Sequence, residues 1–502
     1  MKLPIFNNLG DIIRQDLDQT RIGLIDLGGD GGPREYTYAQ IDQQCNAVAR
    51  RLSALGFKSG ERIAILSANR SEFIFTYLGI MRAGLVAVPV NFKFPAALIE
   101  FIVRDADAQL VFCDAKRSTD VPDGVAKVIF EDDGPDGFNS FIEPGEFSVI
   151  KPELNQVAMF LYTSGSTGKP KGVKLSHQSH LWVAKTRLGK NDWSHHRFLV
   201  AAPLYHMNAL ALVKLSLMAH ACIVLLPQFS AKAYLEAIQK YQCTWLTAVP
   251  PMIAMMLQEK ELIQKTDFSS VQYLRMGSAP VSSSLLKSIK EVLPQVLVTN
   301  AYGTTEGGPV VFGPHPKDLE QPPLSVGYPH PEVQLRLVNC VLELKSPGLM
   351  LGYHKALTRV PALKSPFTED GFYVTGDMFR VDENGFYSFI GRSDDMFVSG
   401  GENIYPSEVE RLIESHPLVQ QAAVVPVEDE IKGHKPAAFV VIKPGNLLSP
   451  ESLKQYCLKH APAYQHPRWI WFLNELPLAS TNKIDKTRLM EEAKAIVLQT
   501  QH

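Results

Sequence analysis

The chain has 502 residues, and its 50 Lys and Arg residues nearly balance its 52 Asp and Glu residues, which gives a formal net charge of −2. This balance leaves no strongly basic character of the kind that marks nucleic-acid-binding proteins or anionic membrane surfaces. Hydrophobic residues make up 45% of the sequence and charged residues 20%. Such usage excludes a wholly disordered chain, and the length is sufficient for several buried cores.

The cysteines and the apolar segments indicate in which cellular compartment the protein is expected. The six cysteines lie far apart without a Cys-x-x-Cys pair, so we expect neither a zinc ribbon nor a disulfide scaffold. The N-terminus lacks an apolar stretch of signal-peptide length. The most apolar long stretch, residues 209–227, is interrupted by Lys214 and His220, which argues against a membrane span. We therefore expect a cytoplasmic protein.

Short apolar segments alternate with helical patterns through roughly the first 300 residues. The first helix begins with a capping box of Thr37 and Gln40, and Cys45 lies on its apolar stripe as a core residue. Buried strands are predicted at residues 62–66, 85–88, 157–162, 198–201, 222–226, 244–248, 273–276 and 297–299. Repeated strand–helix–strand units predict an α/β fold with a mainly parallel sheet that helices cover on both faces.

The pattern changes in the last third of the chain. Between residues 313 and 392 proline and glycine are frequent and apolar runs are short, which predicts a compact antiparallel β region. A smaller α+β unit follows. It opens with a predicted capping box of Ser407 and Glu410 and ends in an amphipathic helix over residues 486–498.

Two glycine-rich clusters differ in their context. Residues 27–32 (LGGDGG) precede an extended segment and not a helix, so we predict a hairpin turn and no dinucleotide site. Residues 163–172 (TSGSTGKPKG) follow a buried strand, and their glycines, hydroxyls and lysines suit the binding of nucleotide phosphates. The spacing is not that of a Walker A loop, and this cluster alone is equally compatible with a flexible surface loop.

Further motifs follow the second cluster in a fixed order: PLYHMN, GSAP, NAYGTTEGG, YVTGD, GRSDDMFVSGGENIYPSEVE and LASTNKIDK. Together they resemble the adenylate-forming superfamily of acyl- and aryl-CoA synthetases, luciferases and nonribosomal-peptide adenylation domains, over nearly the whole chain. The resemblance implies a large N-terminal domain, residues 1–392, of stacked αβ subdomains plus a β-barrel-like region. It also implies a small mobile α+β C-terminal lid domain, residues 393–502, that carries the catalytic lysine.

The resemblance implies a two-step reaction with ATP, Mg²⁺ and CoA. A carboxylic acid and ATP form an acyl-adenylate and pyrophosphate, and CoA then takes the acyl group as a thioester. Because the first step brings two anions together, charge neutralisation and positioning dominate its catalysis. By the family's motifs Lys483 and Thr305 are catalytic, and Glu306 is both catalytic and the Mg²⁺ ligand. Asn482 stands where many members have glycine, a feature that some aryl-CoA ligases share.

The remaining nucleotide contacts are also implied by the motifs. Asp377 suits a ribose diol, with a turn-capping role as the alternative, Arg392 adds a ribose or phosphate contact, and Tyr302 offers a stacking face to adenine. The predicted nucleotide-binding residues are Thr163, Ser164, Gly165, Ser166, Thr167, Gly168, Lys169, Lys171, Gly277, Ser278, Ala279, Pro280, Asn300, Ala301, Tyr302, Gly303, Thr304, Asp377 and Arg392.

The sequence defines the carboxylic acid substrate less sharply than the nucleotide site. By motif register the acyl pocket is formed by His206, Met207, Val249, Ala301, Gly303, Gly307 and Gly308. We interpret His206 as a gate or pocket wall and not as a general base, because a carboxylic acid is already ionised near neutral pH. The other histidine pairs, His177 with His180 and His195 with His196, have no third ligand at metal spacing, and we expect them at the surface. The expected substrate is an uncharged aryl, arylalkenoyl or short- to medium-chain acid.

A hinge between the two domains and an acceptor of the acyl group are also predicted. Asp394 is the implied hinge between the two domains, and Gly400 and Gly401 are the implied loop of the CoA channel, with an ordinary hairpin turn as the alternative. CoA is the expected acceptor, because no carrier domain follows the last helix. Loading of an acyl-carrier protein, luciferase-like oxidation of the adenylate and nucleotide binding without catalysis remain the alternatives. We expect no nucleic-acid partner, and the sequence leaves a homodimer open.

Overall fold

The computed structural model describes most of the chain. The described residues are 4–28, 32–163, 170–279, 281–358, 363, 365–399, 402–430, 432–462, 465–479 and 483–500. Predicted site residues that lie outside the described part are Ser164, Gly165, Ser166, Thr167, Gly168, Lys169, Pro280, Gly400 and Gly401.

Helices and strands alternate through the first three hundred residues, and strands then predominate before a second mixed region. The described helices are α1 Tyr38–Ala54, α2 Ser71–Arg82, α3 Ala96–Asp105, α4 Phe138–Phe141, α5 His177–Leu188, α6 Met207–Met218, α7 Ala231–Tyr241, α8 Pro250–Gln258, α9 Lys260–Lys265, α10 Ser283–Val292, α11 Pro406–Glu414, α12 Pro450–His460 and α13 Lys486–Thr500. The described strands are β1 Ile22–Asp26, β2 Arg34–Thr37, β3 Arg62–Leu66, β4 Val86–Pro89, β5 Ala108–Cys113, β6 Ala126–Ile129, β7 Val157–Thr163, β8 Lys171–Ser176, β9 Arg197–Val200, β10 Cys222–Leu225, β11 Trp245–Ala248, β12 Tyr273–Gly277, β13 Leu297–Ala301, β14 Phe312–Gly313, β15 Ser325–Pro329, β16 Gln334–Val338, β17 Val341–Lys345, β18 Tyr373–Val381, β19 Tyr387–Arg392, β20 Phe397–Ser399, β21 Glu402–Ile404, β22 Val419–Asp429, β23 Gly433–Ile442 and β24 Trp469–Phe472.

Two largely parallel sheets form the α/β part of the molecule. One has the order β6-β5-β3-β4-β7-β8 and the other the order β13-β12-β11-β9-β10-β1-β2. Each has one antiparallel edge strand, β8 in the first and β2 in the second. The interior strands are short apolar runs, such as CIVL in β10, because helices bury them on both faces. The predicted α/β fold is confirmed, with the strands divided between two sheets.

An antiparallel sheet and a smaller mixed sheet follow. The antiparallel sheet has the order β14-β15-β19-β18-β17-β16, which confirms the antiparallel region predicted from its proline, glycine and short apolar runs. The last sheet runs β21-β20-β23-β22, with β24 added in parallel to β23. Separate apolar clusters fill its two faces, one against α11 and α12 and the other against α13.

Local predictions near the N-terminus agree with the structure. Thr37 and Gln40 form the capping box of α1, and Cys45 is fully buried. Strands β1 and β2 pair in antiparallel fashion on either side of the LGGDGG cluster, as expected for a hairpin. All six cysteines are free thiols. In the described part of the chain, no helix has both the length and the apolarity that a membrane crossing requires.

The predicted capping box of Ser407 and Glu410 is wrong. Helix α11 starts at Pro406, two residues before the start that an N-cap at Ser407 would give, and the fixed φ of proline favours the first helical position. The Ser407 hydroxyl donates to the Ile390 carbonyl, and the Glu410 carboxylate accepts from the Val424 amide at 2.9 Å. Both side chains therefore fasten α11 to neighbouring strands instead of capping it.

The expected surface position of the histidine pairs is also wrong for three of the four side chains. His177, His180 and His196 are 3% exposed or less, and only His195 is exposed. The reason is that α5, which contains the first pair, packs between the sheets against α6 instead of covering the outside of the molecule. Nδ1 of the buried His177 accepts a hydrogen bond from the Leu9 amide, 2.9 Å away.

Candidate active site

A large cavity of about 1820 Å³ opens where several parallel strands end. Thr163 at the end of β7, Val249 after β11, Gly277 at the end of β12 and Ala301 at the end of β13 all line it. Parallel α/β sheets place ligands at this edge, because the carboxyl ends of the strands and the following loops converge there. The antiparallel sheet and the C-terminal unit supply the opposite wall, which includes Lys483.

Asp377 is held on two sides within this cavity. Its Oδ2 accepts from the Tyr302 hydroxyl at 2.5 Å, and its Oδ1 accepts from Nη1 of Arg392 at 3.0 Å. Burial raises the pKa of the carboxyl, and the charge of Arg392 and the Tyr302 hydrogen bond oppose that effect. The carboxylate is thus fixed in orientation, which is what the recognition of a diol by paired hydrogen bonds requires.

Glu306 lies opposite the end of β7. Its Oε1 accepts from the Thr163 hydroxyl at 3.1 Å and from the Tyr353 hydroxyl at 3.2 Å. No cluster of three or more His, Cys, Asp or Glu side chains that could hold a metal occurs among the described residues. One carboxylate with hydroxyls beside it does fit Mg²⁺, because this ion keeps several waters and takes most other ligands from substrate phosphates.

Lys483 is accessible from the cavity and stands in a closed turn. The Ala479 amide donates to the Lys483 carbonyl at 2.7 Å, and Leu478 forms a β-bridge with Ile484. The surrounding protein lowers the pKa of the ammonium by desolvation, whereas the Asp377 carboxylate acts in the opposite direction. The structure therefore brings the predicted catalytic lysine to the same cavity as the predicted ribose ligand.

Arg392 links the ribose candidate to the predicted hinge. Besides Asp377, it holds Asp394 through two hydrogen bonds, from Nε at 2.7 Å and from Nη2 at 2.9 Å. This pair raises the pKa of Arg392 and, against the effect of burial, lowers that of Asp394. Asp394 is therefore tied to the end of β19 by a bidentate ion pair at the start of the C-terminal unit.

The predicted adenine walls also line the cavity. Gly277 has no space for a side chain, because a Cβ there would be 2.8 Å from the Ala301 carbonyl oxygen. Ser278 takes a positive φ of 66° at the turn that follows. The Tyr302 ring is held edge-on against Phe379, and the Asn300 amide group donates to the Leu324 carbonyl at 3.2 Å. These contacts fix the strand ends in place.

Comparisons with known proteins identify the family of the chain. A family model described as AMP-binding enzyme matches residues 17–354, and the model of the AMP-binding enzyme C-terminal domain matches residues 408–483. The first match alone covers more than half of the chain. The chain belongs to the AMP-binding enzyme family.

Individual members are similar over nearly their full lengths. The mitochondrial medium-chain acyl-CoA ligase ACSF2 of Danio rerio is 28% identical over 511 residues, covering 91% of this chain and 84% of the relative. The anthranilate CoA ligase AuaEII in complex with anthranoyl-AMP has a TM-score of 0.86 at 27% identity, covering 99% of this chain and 100% of that one. ATP-bound MatB from Rhodopseudomonas palustris has a TM-score of 0.85 at 25% identity, covering 98% of this chain and 100% of that one.

The predicted acyl pocket of this AMP-binding enzyme is only partly brought together. His206, Met207, Val249, Ala301 and Gly303 line the cavity, and Gly307 and Gly308 are not among its lining residues. The two glycines are small for a different reason. A Cβ on Gly308, which has a φ of 84°, would be 2.8 Å from the Gly348 carbonyl oxygen, and one on Gly307 would be 2.9 Å from the Thr304 hydroxyl. Close backbone packing therefore explains them, and pocket volume does not.

His206 is at the N-terminus of α6, and its Nε2 has no hydrogen-bond partner in the structure. Burial, with smaller contributions from the nearby charges of Lys483 and Lys93, lowers its pKa to about 3. The imidazole is therefore neutral at every pH between about 5 and 8, where an ordinary histidine titrates. Its neutral form agrees with a wall or gate and not with an acid catalyst.

We expect the variant His206→Gln to keep the pH profile of adenylate formation. The pKa of about 3 lies below the working range, so removing the ring removes no titration from it. The rate itself should change by less than about 10-fold, because a pocket wall contributes contacts and not chemistry. The measurement is pyrophosphate release at pH values between about 5 and 8. A lost or displaced acid limb in the variant would show that His206 titrates during turnover.

Sequence reasoning missed two arginines and a tyrosine that face the cavity: Arg187, Arg275 and Tyr353. Arg275 had a visible signal, since a charged residue stands inside the predicted buried strand at residues 273–276. Arg187 had no such signal, because a charged residue at its position is usual on the polar face of an ordinary helix. Tyr353 reaches Glu306 from a loop 47 residues further along the chain, a distance that no local pattern encodes.

Proposed function

We propose that this AMP-forming acid–CoA ligase activates an aryl, arylalkenoyl or short- to medium-chain acid in the cavity and transfers it to CoA. The observation that carries the proposal is the convergence of Lys483, Glu306 and the Asp377–Arg392 pair on one cavity at the strand ends. Relatives named for medium-chain acyl groups and for anthranilate agree with an acid of this size range.

In the proposed first step the ATP ribose binds at Asp377 and Arg392, and the substrate carboxylate approaches the α-phosphate. A carboxylate oxygen forms the new bond to Pα while the bond from Pα to the β-phosphate oxygen breaks, which releases pyrophosphate. Lys483 donates hydrogen bonds to both reacting anions, and Thr305 contacts the α-phosphate. Fixed donors of this kind act most strongly on charge that develops in the transition state.

Mg²⁺ would be held by Glu306, and it would supply neutralisation of phosphate charge. The Thr163 and Tyr353 hydroxyls that donate to Glu306 keep its carboxylate oriented toward the phosphates. The two lysines and the hydroxyls of residues 163–172 are proposed to bind the β- and γ-phosphates, and Thr163 and Lys171 are the described members of this set. Lys171 already lies 5.5 Å from the centre of the Tyr353 ring.

In the proposed second step the CoA sulfur attacks the acyl carbonyl carbon. The C–S bond forms as the bond from the acyl carbon to the AMP oxygen breaks, and the thiol proton leaves to solvent. We propose that residues 393–502 rotate as a lid on residues 1–392 between the two steps, with Asp394 as hinge and Gly400 and Gly401 beside the CoA channel. The bidentate contact of Arg392 with Asp394 supports this position for the hinge, because a few residues at the ends of elements usually absorb such motions.

We expect Asp394→Pro to slow thioester formation more than adenylate formation, by about 10-fold in the ratio of the two rates. Proline fixes φ near −65°, so it restricts the backbone change that a hinge must absorb. The matched control is Asp394→Asn, which loses the charge of the ion pair with Arg392 but leaves the backbone free. Both half-reactions are timed by single-turnover quench. An unchanged ratio in the proline variant would exclude Asp394 as the pivot.

The function is tested by pyrophosphate release from Mg-ATP across a panel of carboxylic acids, with and without CoA. Release that requires one class of acid and is accelerated by CoA is the expected result. Release that does not respond to CoA would favour a carrier-protein or an oxygen acceptor. An absence of release with every acid, together with measurable AMP binding, would indicate a nucleotide-binding relative without catalysis.

A further inference from the structure

One wall of the cavity is strongly cationic. Arg187 near the end of α5 and Arg275 in β12 both line the cavity, and Lys214 on α6 is wholly buried, with 0% exposure. Lys214 donates from Nζ to Nδ1 of His180 at 3.2 Å, so its hydrogen-bond partner is neutral. We call Arg187, Lys214 and Arg275 the cationic wall, of which the two arginines line the cavity and Lys214 does not.

The cationic wall has no acidic partner among the described residues. Neither arginine makes a hydrogen bond or an ion pair there. Three of the acidic side chains that line the same cavity are engaged elsewhere, Asp377 and Asp394 with Arg392 and Glu410 with Lys486. This contrasts with Arg82, which is 1% exposed but pairs with Asp42 at 2.7 Å and with Asn46 at 2.6 Å. Arg82 therefore has an acidic partner, whereas the half-buried Arg187 and Arg275 have none among the described residues.

The charges of the cationic wall also act on one another. Burial lowers the pKa of Arg187, and Arg275 lowers it further. Burial and the nearby Arg187 lower the pKa of Lys214 to about 7. Because gathering like charges away from water is costly, such a group is expected to meet an anion when the site is filled.

Neutral polar groups accompany the cations. Arg275 pairs in register with Thr247 of β11 and with Thr299 of β13, so the three side chains share one face of the sheet. Thr247 is 3% exposed, and its hydroxyl has no hydrogen-bond partner in the structure. A purely apolar acyl group in the cavity would leave the two guanidinium groups that line it unsatisfied.

The cationic wall is separated from the reacting end of the cavity. His206 marks the reacting end, because the nearby charge of Lys483 lowers its pKa, and it directly precedes α6. Lys214 lies eight residues further along the chain, within that helix. At a rise of 1.5 Å per residue this corresponds to about 12 Å along the helix. Arg187 lies near enough to Lys214 to lower the pKa of that ammonium, so it stands on the same side of the cavity. An acid whose two ends are separated by several carbon atoms or by an aryl ring would span it.

We propose that the acid substrate carries a second carboxylate, which Arg187 and Arg275 bind while the first carboxylate reacts beside Lys483. This inference rests on the proposed ligase function and replaces the expectation of an uncharged acid. Guanidinium groups suit the task because they bind carboxylates through paired, geometrically fixed hydrogen bonds. The second carboxylate would give the cationic wall its missing counter-charge.

The test compares dicarboxylic acids with their monomethyl esters, which match them in size but lack the second charge. With the wild-type enzyme, kcat/KM for pyrophosphate release should be at least about 100-fold higher for the best diacid than for its monoester, because a site built for polar contacts strongly rejects a ligand that lacks them. Arg275→Leu should lose at least about 10-fold on the diacid and should not lose activity on the monoester. Arg275→Lys should recover part of the diacid activity.

Controls separate this inference from the ligase function and from misfolding. Arg197→Leu, at the exposed start of β9, is the matched control and should leave the diacid preference unchanged. The melting temperature of each variant reports on folding, and Arg187→Leu provides an independent second variant. A wild-type enzyme that turns over uncharged acids as well as diacids overturns the second carboxylate while the ligase function stands. No release with any acid overturns both.

Discussion

Lys483→Ala should reduce the rate of adenylate formation by at least about 100-fold, and it should leave thioester formation from supplied acyl-adenylate largely intact. The lysine is accessible in the cavity that Asp377 and Glu306 share, and their carboxylates favour its charged form. Loss of one such donor typically costs about 100- to 1,000-fold in rate. In the second step the adenylate already exists, so neutralisation of two approaching anions is no longer required.

The measurement has two arms with the same enzyme preparation. The first follows pyrophosphate release from Mg-ATP and acid, and the second follows thioester formation from synthetic acyl-adenylate and CoA. Lys494→Ala, which removes an exposed lysine of α13, is the matched control for a change in the C-terminal unit. Equal loss in both arms would contradict the separation of the two steps by a domain rotation, and an intact first arm would exclude Lys483 from catalysis.

Much of the fold was accessible from the sequence because its signals are local. The capping box at Thr37, the apolar stripe around Cys45 and the runs of buried strand residues each depend on neighbours within one or two turns. The division of the parallel strands between two sheets was not accessible. Which strands become neighbours depends on long-range pairing, such as that of β4 with β7, which lie about 70 residues apart.

Glu306, Asp377 and Lys483, which were predicted for the nucleotide side, all line the cavity, whereas Gly307 and Gly308, which were predicted for the acyl side, do not. Phosphate, ribose and metal chemistry restricts residue types tightly, so Glu306, Asp377 and Lys483 stand in recognisable motifs. The acyl side is shaped by packing. Gly308 was predicted to line the acyl pocket but packs beside the Gly348 backbone. Arg275 lies in the predicted strand, and its place in the lining of the cavity was not predicted.

The errors at Ser407 and at the buried histidines have one cause. The residue types at Ser407 and Glu410 fit a capping box, but the helix start was fixed by Pro406 and by contacts with strands far along the chain. His177 and His180 were expected at the surface because they have no third ligand at metal spacing, yet both are fully buried where α5 packs against α6 and β8. Tertiary burial overrides local polarity when a hydrogen-bond partner such as the Leu9 amide is present.

Glu306→Gln is the second substitution with a large expected effect, at least about 100-fold on adenylate formation, since metal neutralisation of phosphate charge contributes several kcal/mol. The glutamine oxygen can still accept from the Thr163 and Tyr353 hydroxyls, so the local structure should persist while the charge is lost. Because the charge is what holds the cation, the Mg²⁺ concentration for half-maximal rate should rise as well.

Mg²⁺ titrations of the wild type, Glu306→Gln and the exposed control Glu320→Gln distinguish a metal ligand from a structural carboxylate. AMP binding, measured by calorimetry without metal, should be similar in all three, because Asp377 and Arg392 remain. A slower Glu306→Gln enzyme with an unchanged Mg²⁺ requirement would mean that the carboxylate acts only by orienting Thr163 and Tyr353. A loss of AMP binding would instead mean that the substitution disturbs the strand ends at which the whole site is assembled.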